Sequence, residues 1–173
     1  MKLDLPVMVA ALLVAATLQE LLPPVPLGGL DLKVQLLPAI ALYYLERRPW
    51  PMALCAALWA GILTDSLGGL PGGLSAFTLL CAGGVVLLVR DASERRSPLR
   101  ACLPGAILAF VMGVAQGARL ALSPASAPFL SSVAAALKLM PLGALAAIAA
   151  DAALGRIDFL AGNVEPIREE GIT

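Results

Sequence analysis

AGILTDSLGGLPGGLSAFTLL, residues 60–80, sets one aspartate and two glycine pairs between two strongly apolar stretches. Its meaning depends on the solvent around those flanks. The chain has 173 residues, 60% of them hydrophobic and 14% charged, with a mean hydropathy of +0.89. Soluble domains carry about 25% charged residues. A chain this small cannot bury so much apolar surface in one core, because the buried fraction rises only slowly with size. Composition therefore predicts an integral membrane protein, and residues 65–75 read as a turn between two transmembrane helices.

A helix crossing the hydrocarbon needs about 20 mainly apolar residues. Six segments qualify, at about 5–22, 30–46, 50–65, 74–90, 100–122 and 131–154, which predicts an all-α bundle of six transmembrane helices. The second and third are short and closely joined by ERRPWP. Residues 1–155 form the single transmembrane domain and 156–173 a cytoplasmic tail. The first span is read as retained, since no small-x-small cleavage site follows it. With the N-terminus inside, nine of the twelve cations fall on inner segments: Lys2, Arg47, Arg48, Arg90, Arg95, Arg96, Arg100, Arg156 and Arg168. That is the asymmetry of the positive-inside rule. Deleting either short span would send the 90–100 loop to the opposite side from Arg47 and Arg48. Six spans with both termini cytoplasmic is the expectation.

Function classes narrow quickly. Net charge is zero and no basic stripe interleaved with aromatics exists, so nucleic acid is not expected as a partner. The chain has no histidine, which removes the commonest general base and metal ligand at neutral pH. Cys55, Cys81 and Cys102 stand alone in or beside apolar runs, read as inert buried thiols with neither zinc nor disulfide spacing. No cofactor is expected. Asp65 and Asp151 cannot form a protease dyad, because they fall at opposite ends of their spans, a core of about 30 Å apart, whereas a dyad needs carboxyls in near contact. An enzyme is not expected.

Ionisable groups within spans are costly and are functional candidates by default. Here they are Glu20, Asp31, Lys33, Asp65, Arg119, Lys138 and Asp151. Most lie within a turn or two of a span end, where cations snorkel and acids reach headgroup water. The alternative is an intramembrane ion pair of Asp65 with Arg119 or Lys138. Small residues four apart offer close helix approach in lipid, and Ala109, Gly113 and Gly117 are the best such face. Pro38 is expected to weaken the second span by breaking its backbone bonding. Ser75 is a candidate cap for the fourth span. Tyr43, Tyr44, Trp50 and Trp59 read as an interfacial aromatic belt.

Three stretches in order resemble the bacterial rod shape-determining protein MreD family. They are LQELLPPVPLG ending the first span, DLKVQLLPAIALYYLERR through the second, and AGILTDSLGGLPGGLSAF, which is similar to the family's G-x-x-x-D-x-x-x-G-x-P-x-G-x-x-A pattern. The likeness covers about the first half of the chain. It departs at Leu30, where the family usually has proline before the aspartate, and at Lys33. The resemblance implies a non-enzymatic scaffold of the bacterial inner membrane, binding the bitopic coiled-coil protein MreC. It places that scaffold beside MreB and the RodA and PBP2 peptidoglycan synthase of the cell-elongation machinery. On the match, Asp65, Gly68, Gly69, Pro71, Gly73 and Ala76 are the motif positions, with a structural and partner-docking role. The other class weighed is the substrate-binding S-component of an energy-coupling-factor vitamin transporter. Those proteins are also small six-helix bundles, and Ala11-x-x-x-Ala15 resembles their docking motif. The chain's few polar and aromatic residues disfavour a vitamin pocket.

Overall fold

A computed structural model describes residues 4–23, 25–27, 30–68, 73–91, 102–121 and 129–162. The element order is α1 (Asp4–Leu21), β1 (Val25–Leu27), β2 (Leu30–Leu32), α2 (Leu36–Arg47), α3 (Trp50–Leu67), α4 (Leu74–Asp91), α5 (Cys102–Ala121) and α6 (Phe129–Leu160). The six helices form one compact bundle. Trp50–Leu67 and Val133–Leu160 are long and apolar enough to cross a membrane, with mean hydropathies of 1.2 and 1.9; Leu5–Leu21, Leu74–Leu88 and Cys102–Ala118 are apolar but shorter.

α1, α3, α4 and α5 fall within two residues of the expected spans, α6 overruns its expected end, and the second starts six residues late. Residues 30–32, expected to open it, instead pair antiparallel with 25–27, in the register Val25↔Leu32, Pro26↔Asp31 and Leu27↔Leu30. The helix proper has 12 residues, about 18 Å at 1.5 Å per residue. It is short because it is central. α2 touches all five other helices, and Leu37, Leu42, Tyr44 and Leu45 are fully buried within it. A helix apolar on all sides belongs inside protein. Pro38 does not break this helix: it occupies the first turn, where the missing N–H has no intrahelical partner to lose. Pro104 sits likewise in the first turn of α5, while Pro141 is interior to α6. α6 runs to Leu160, six residues past its expected end.

Small residues set the helix spacing. α5 and α6 make the most extensive contact in the bundle. A β-carbon added at Gly113 would come 2.9 Å from Ala136 Cβ, and one at Gly105 2.5 Å from Ala147 Cβ. At Gly143 it would overlap Ala109 Cβ. Low residue numbers on α5 thus meet high ones on α6, an antiparallel pair at backbone distance. Ala109 and Gly117 are buried on the same helix.

The thiols correct the sequence reading. Cys55 and Cys81 are exposed and Cys102 is half-buried, all three free. Tyr43 and Tyr44 also correct it. Both are core residues, packed edge to face with centroids 5.4 Å apart, while Trp50 and Trp59 are exposed.

Candidate functional site

The polar groups of the bundle converge on helix junctions. At the end where α3 turns into α4, Asp65 is 1% exposed. The amide of Gly73 donates to its carboxylate at 2.7 Å and that of Ser75 at 3.1 and 3.2 Å. The first N–H groups of a helix lack intrahelical partners and carry partial positive charge, so a carboxylate here satisfies α4's donors and gains from its dipole. Asp65 therefore supplies the cap, and Ser75 is not the capping residue; its own amide is among those capped. Gly73 reaches this geometry with φ of 120°, a conformation costly for any residue with a β-carbon. One turn back, Gly61 abuts Ala76: an added β-carbon would lie 2.5 Å from the Ala76 amide nitrogen and overlap its Cα. Gly61, Asp65, Gly73 and Ala76 are thus one device, a close crossing of α3 and α4 locked by a buried carboxylate.

Gly68 ends α3, its N–H donating to Thr64 O at 3.0 Å. Gly69 and Pro71 lie outside the described residues. So does the Arg119 side chain, and with it half of the expected pairing with Asp65. Lys138 is half-buried on α6. The described hydrogen bonds of Asp65 run to backbone amides of α4.

A second junction at the same end joins α1 to α2. Gln19 is buried, and its Oε1 accepts from the amides of Leu36 at 3.0 Å and Leu37 at 3.2 Å. Beside it the exposed Lys33 ammonium meets Glu20 at 3.1 Å. The motif LQELLPPVP thus contributes its glutamine as the cap of the next helix.

The opposite end holds two ion pairs between α2 and α6. The Arg47 guanidinium donates to both Asp151 oxygens at 2.9 Å and stacks over the Tyr43 ring at 5.4 Å. Arg48 meets Asp158 at 2.8 Å, and the Tyr43 hydroxyl donates to the same Oδ2 at 2.6 Å. Arg48 and Asp158 are 8% and 1% exposed. Burying such a pair is tolerable only where each charge is well partnered. Sequence reading missed Asp158, because its span stopped at residue 154. The available signal was spacing: Asp151, Leu154 and Asp158 fall at i, i+3 and i+7, one helical face, and all three are buried.

Among the described residues no group of three or more His, Cys, Asp and Glu is placed to hold a metal. The cavity where α2 meets α5 and α6, lined by Gln35, Gly105, Leu108 and Gly143 among others, encloses about 10 Å³. Small-molecule sites span about 300–1,000 Å³. What the fold and junctions define is a six-helix bundle tied at both ends by caps and ion pairs. No family model, no curated protein and no solved structure matches the chain.

Proposed function

We propose that this chain is a multi-pass scaffold of the bacterial inner membrane, of the MreD type, that docks a single-span coiled-coil partner of the MreC type without performing chemistry. MreB and the RodA and PBP2 synthase complete the setting that the resemblance implies. One observation carries the reading: the residues behind the resemblance are those that join helices. Gln19 caps α2, Arg47 and Arg48 bind α6, and Gly61, Asp65, Gly73 and Ala76 lock α3 to α4. Motif residues used this way make a rigid frame, which suits a docking platform.

Lipid as solvent is supported by the outside of the bundle. Leu5, Leu18, Phe77, Leu88, Leu103 and Leu145 are all exposed, and large apolar side chains on the outside suit a membrane or protein contact surface. The arginine distribution supports an orientation with the Asp65 end outside and the Arg48 end towards the cytoplasm.

The test is detergent co-purification of the tagged full chain with a candidate bitopic coiled-coil protein. Recovery of that partner by the wild type, reduced by Asp65→Ala in protein that still elutes as a folded species, supports the proposal. Failure of the folded wild type to recover it, together with retained rod shape when the gene is lost, overturns it.

A further inference from the structure

We infer that the cavity between the start of α2 and the α5–α6 seam is a binding site for one structural water, held by the side-chain oxygen of Gln35. The inference stands apart from the scaffold reading, since it needs neither a partner nor a membrane. Its starting point is an unused side chain. Gln35 occupies the N-cap position of α2, yet makes no side-chain cap bond. Gln19 reaches across from α1 and accepts from the Leu36 and Leu37 amides instead. The Gln35 side chain is left over, and it lines the cavity with Pro38, Ala39, Gly105, Ala109 and Gly143. Its Oε1 is buried and, among the described residues, has no hydrogen-bond partner. A buried carbonyl without a donor is costly, and native folds rarely leave one so. The lining offers no side-chain remedy: Pro38 lacks even an N–H, and Gln35 is the one lining residue with a polar side chain.

Size and polarity select the ligand. The cavity encloses about 10 Å³, about the room that one water requires. Further acceptors stand close by. The Gly105 carbonyl lies 2.8 Å from a β-carbon built on Gly143, and the Gly143 carbonyl 2.9 Å from one built on Gly105. Glycine on both helices thus brings bare carbonyls to this part of the seam, and a helical carbonyl keeps a second lone pair free. A ligand among such acceptors must donate two hydrogens. It must also be neutral, because no carboxylate lines the cavity to offset a cation. Water meets both conditions. It donates to Gln35 Oε1 and to the oxygen of Gly105 or Gly143, and so ties the start of α2 to the α5–α6 pair. The end of α2 is tied to α6 by Arg47 and Arg48.

The test is a high-resolution structure of the full chain in detergent, with choline as the sole added cation, beside that of Gln35→Met, which keeps the length of the side chain without its amide. In the wild type an ordered peak is expected at about 2.5–3.0 Å from Gln35 Oε1 and from the Gly105 or Gly143 oxygen. That peak should be lost in Gln35→Met while the α5–α6 spacing is unchanged. An empty cavity in a wild-type map that shows other buried waters overturns the inference, as does a Gln35 side chain turned out to solvent. A peak seen only when sodium is restored would mean a cation, and a peak retained in Gln35→Met would remove the role of Gln35; either result overturns it too. Should the variant fail to fold, the wild-type map decides alone. None of these results bears on partner docking.

Discussion

Gly61 and Ala76 stand backbone to backbone: a β-carbon on the glycine would lie 2.5 Å from the alanine's amide nitrogen. No rotamer relieves that overlap, because the obstacle is main chain. Gly61→Ala is expected to cost about 1–3 kcal/mol, the usual range for overpacking, and Gly61→Leu more. Gly84, on α4, has nothing within 4 Å of an added β-carbon. Gly84→Ala should be neutral or stabilising by up to about 1 kcal/mol through helix propensity. Unfolding of the two variants in one detergent checks the contrast, and equal effects would count against the close crossing.

Asp65→Ala removes the carboxylate that accepts from the Gly73 amide and from the buried amide of Ser75. The expected loss is about 1–3 kcal/mol, with Asp65→Asn intermediate because one oxygen remains. Amide exchange at residues 73–76 should accelerate in the alanine variant ahead of exchange in α5. Unchanged protection there would show that another group caps α4.

Gln19→Leu keeps the volume at the α1–α2 junction but removes the oxygen that serves Leu36 and Leu37. A cost of about 1–2 kcal/mol is expected. Gln19→Glu should be tolerated better than leucine, since a carboxylate also accepts and favours a helix N-terminus. Thermal midpoints of the three proteins decide the order.

The two ends of the bundle should respond to charge removal very differently. Asp158→Leu takes a buried carboxylate away from Arg48 and is expected to cost about 3–5 kcal/mol, whereas combining it with Arg48→Met should recover much of that. Glu20→Ala, which breaks the exposed pair with Lys33, should cost no more than about 1 kcal/mol. A double-mutant cycle that finds no coupling between positions 48 and 158 would refute the pairing.

Gly113 meets Ala136 at 2.9 Å from the built β-carbon, so Gly113→Leu should force α5 off α6. The expected result is a loss of about 3 kcal/mol or more, beyond the ordinary range for added methylenes. The matched change at the exposed Leu145 (Leu145→Ala) should be nearly silent in detergent.

Five of the six helices were legible because each is a long apolar run closed by turn residues, and both signals are local. The start of α2 was not. Residues 30–32 lead directly towards an apolar run, but their pairing with VPL is a contact that hydropathy does not register. The Ala109–Gly113 face was legible from spacing, since small residues four apart matter only where another helix comes close. Asp65 was legible as a special residue from the glycines around it, yet its partner was sought among charges. Backbone amides leave no mark in a sequence, so the cap on α4 stayed hidden. Arg47 and Arg48 were read as topological anchors, because their acids lie more than a hundred residues downstream.

That separation bears on how the protein is made. α2 emerges from the ribosome early, most of its side chains buried in the finished bundle, and the carboxylates that meet Arg47 and Arg48 are encoded in the final helix. At about 5–20 residues per second, those contacts become possible only several seconds after α2 has been made. The Arg47–Asp151 and Arg48–Asp158 contacts thus close the bundle's α2–α6 seam only once the last helix has been made.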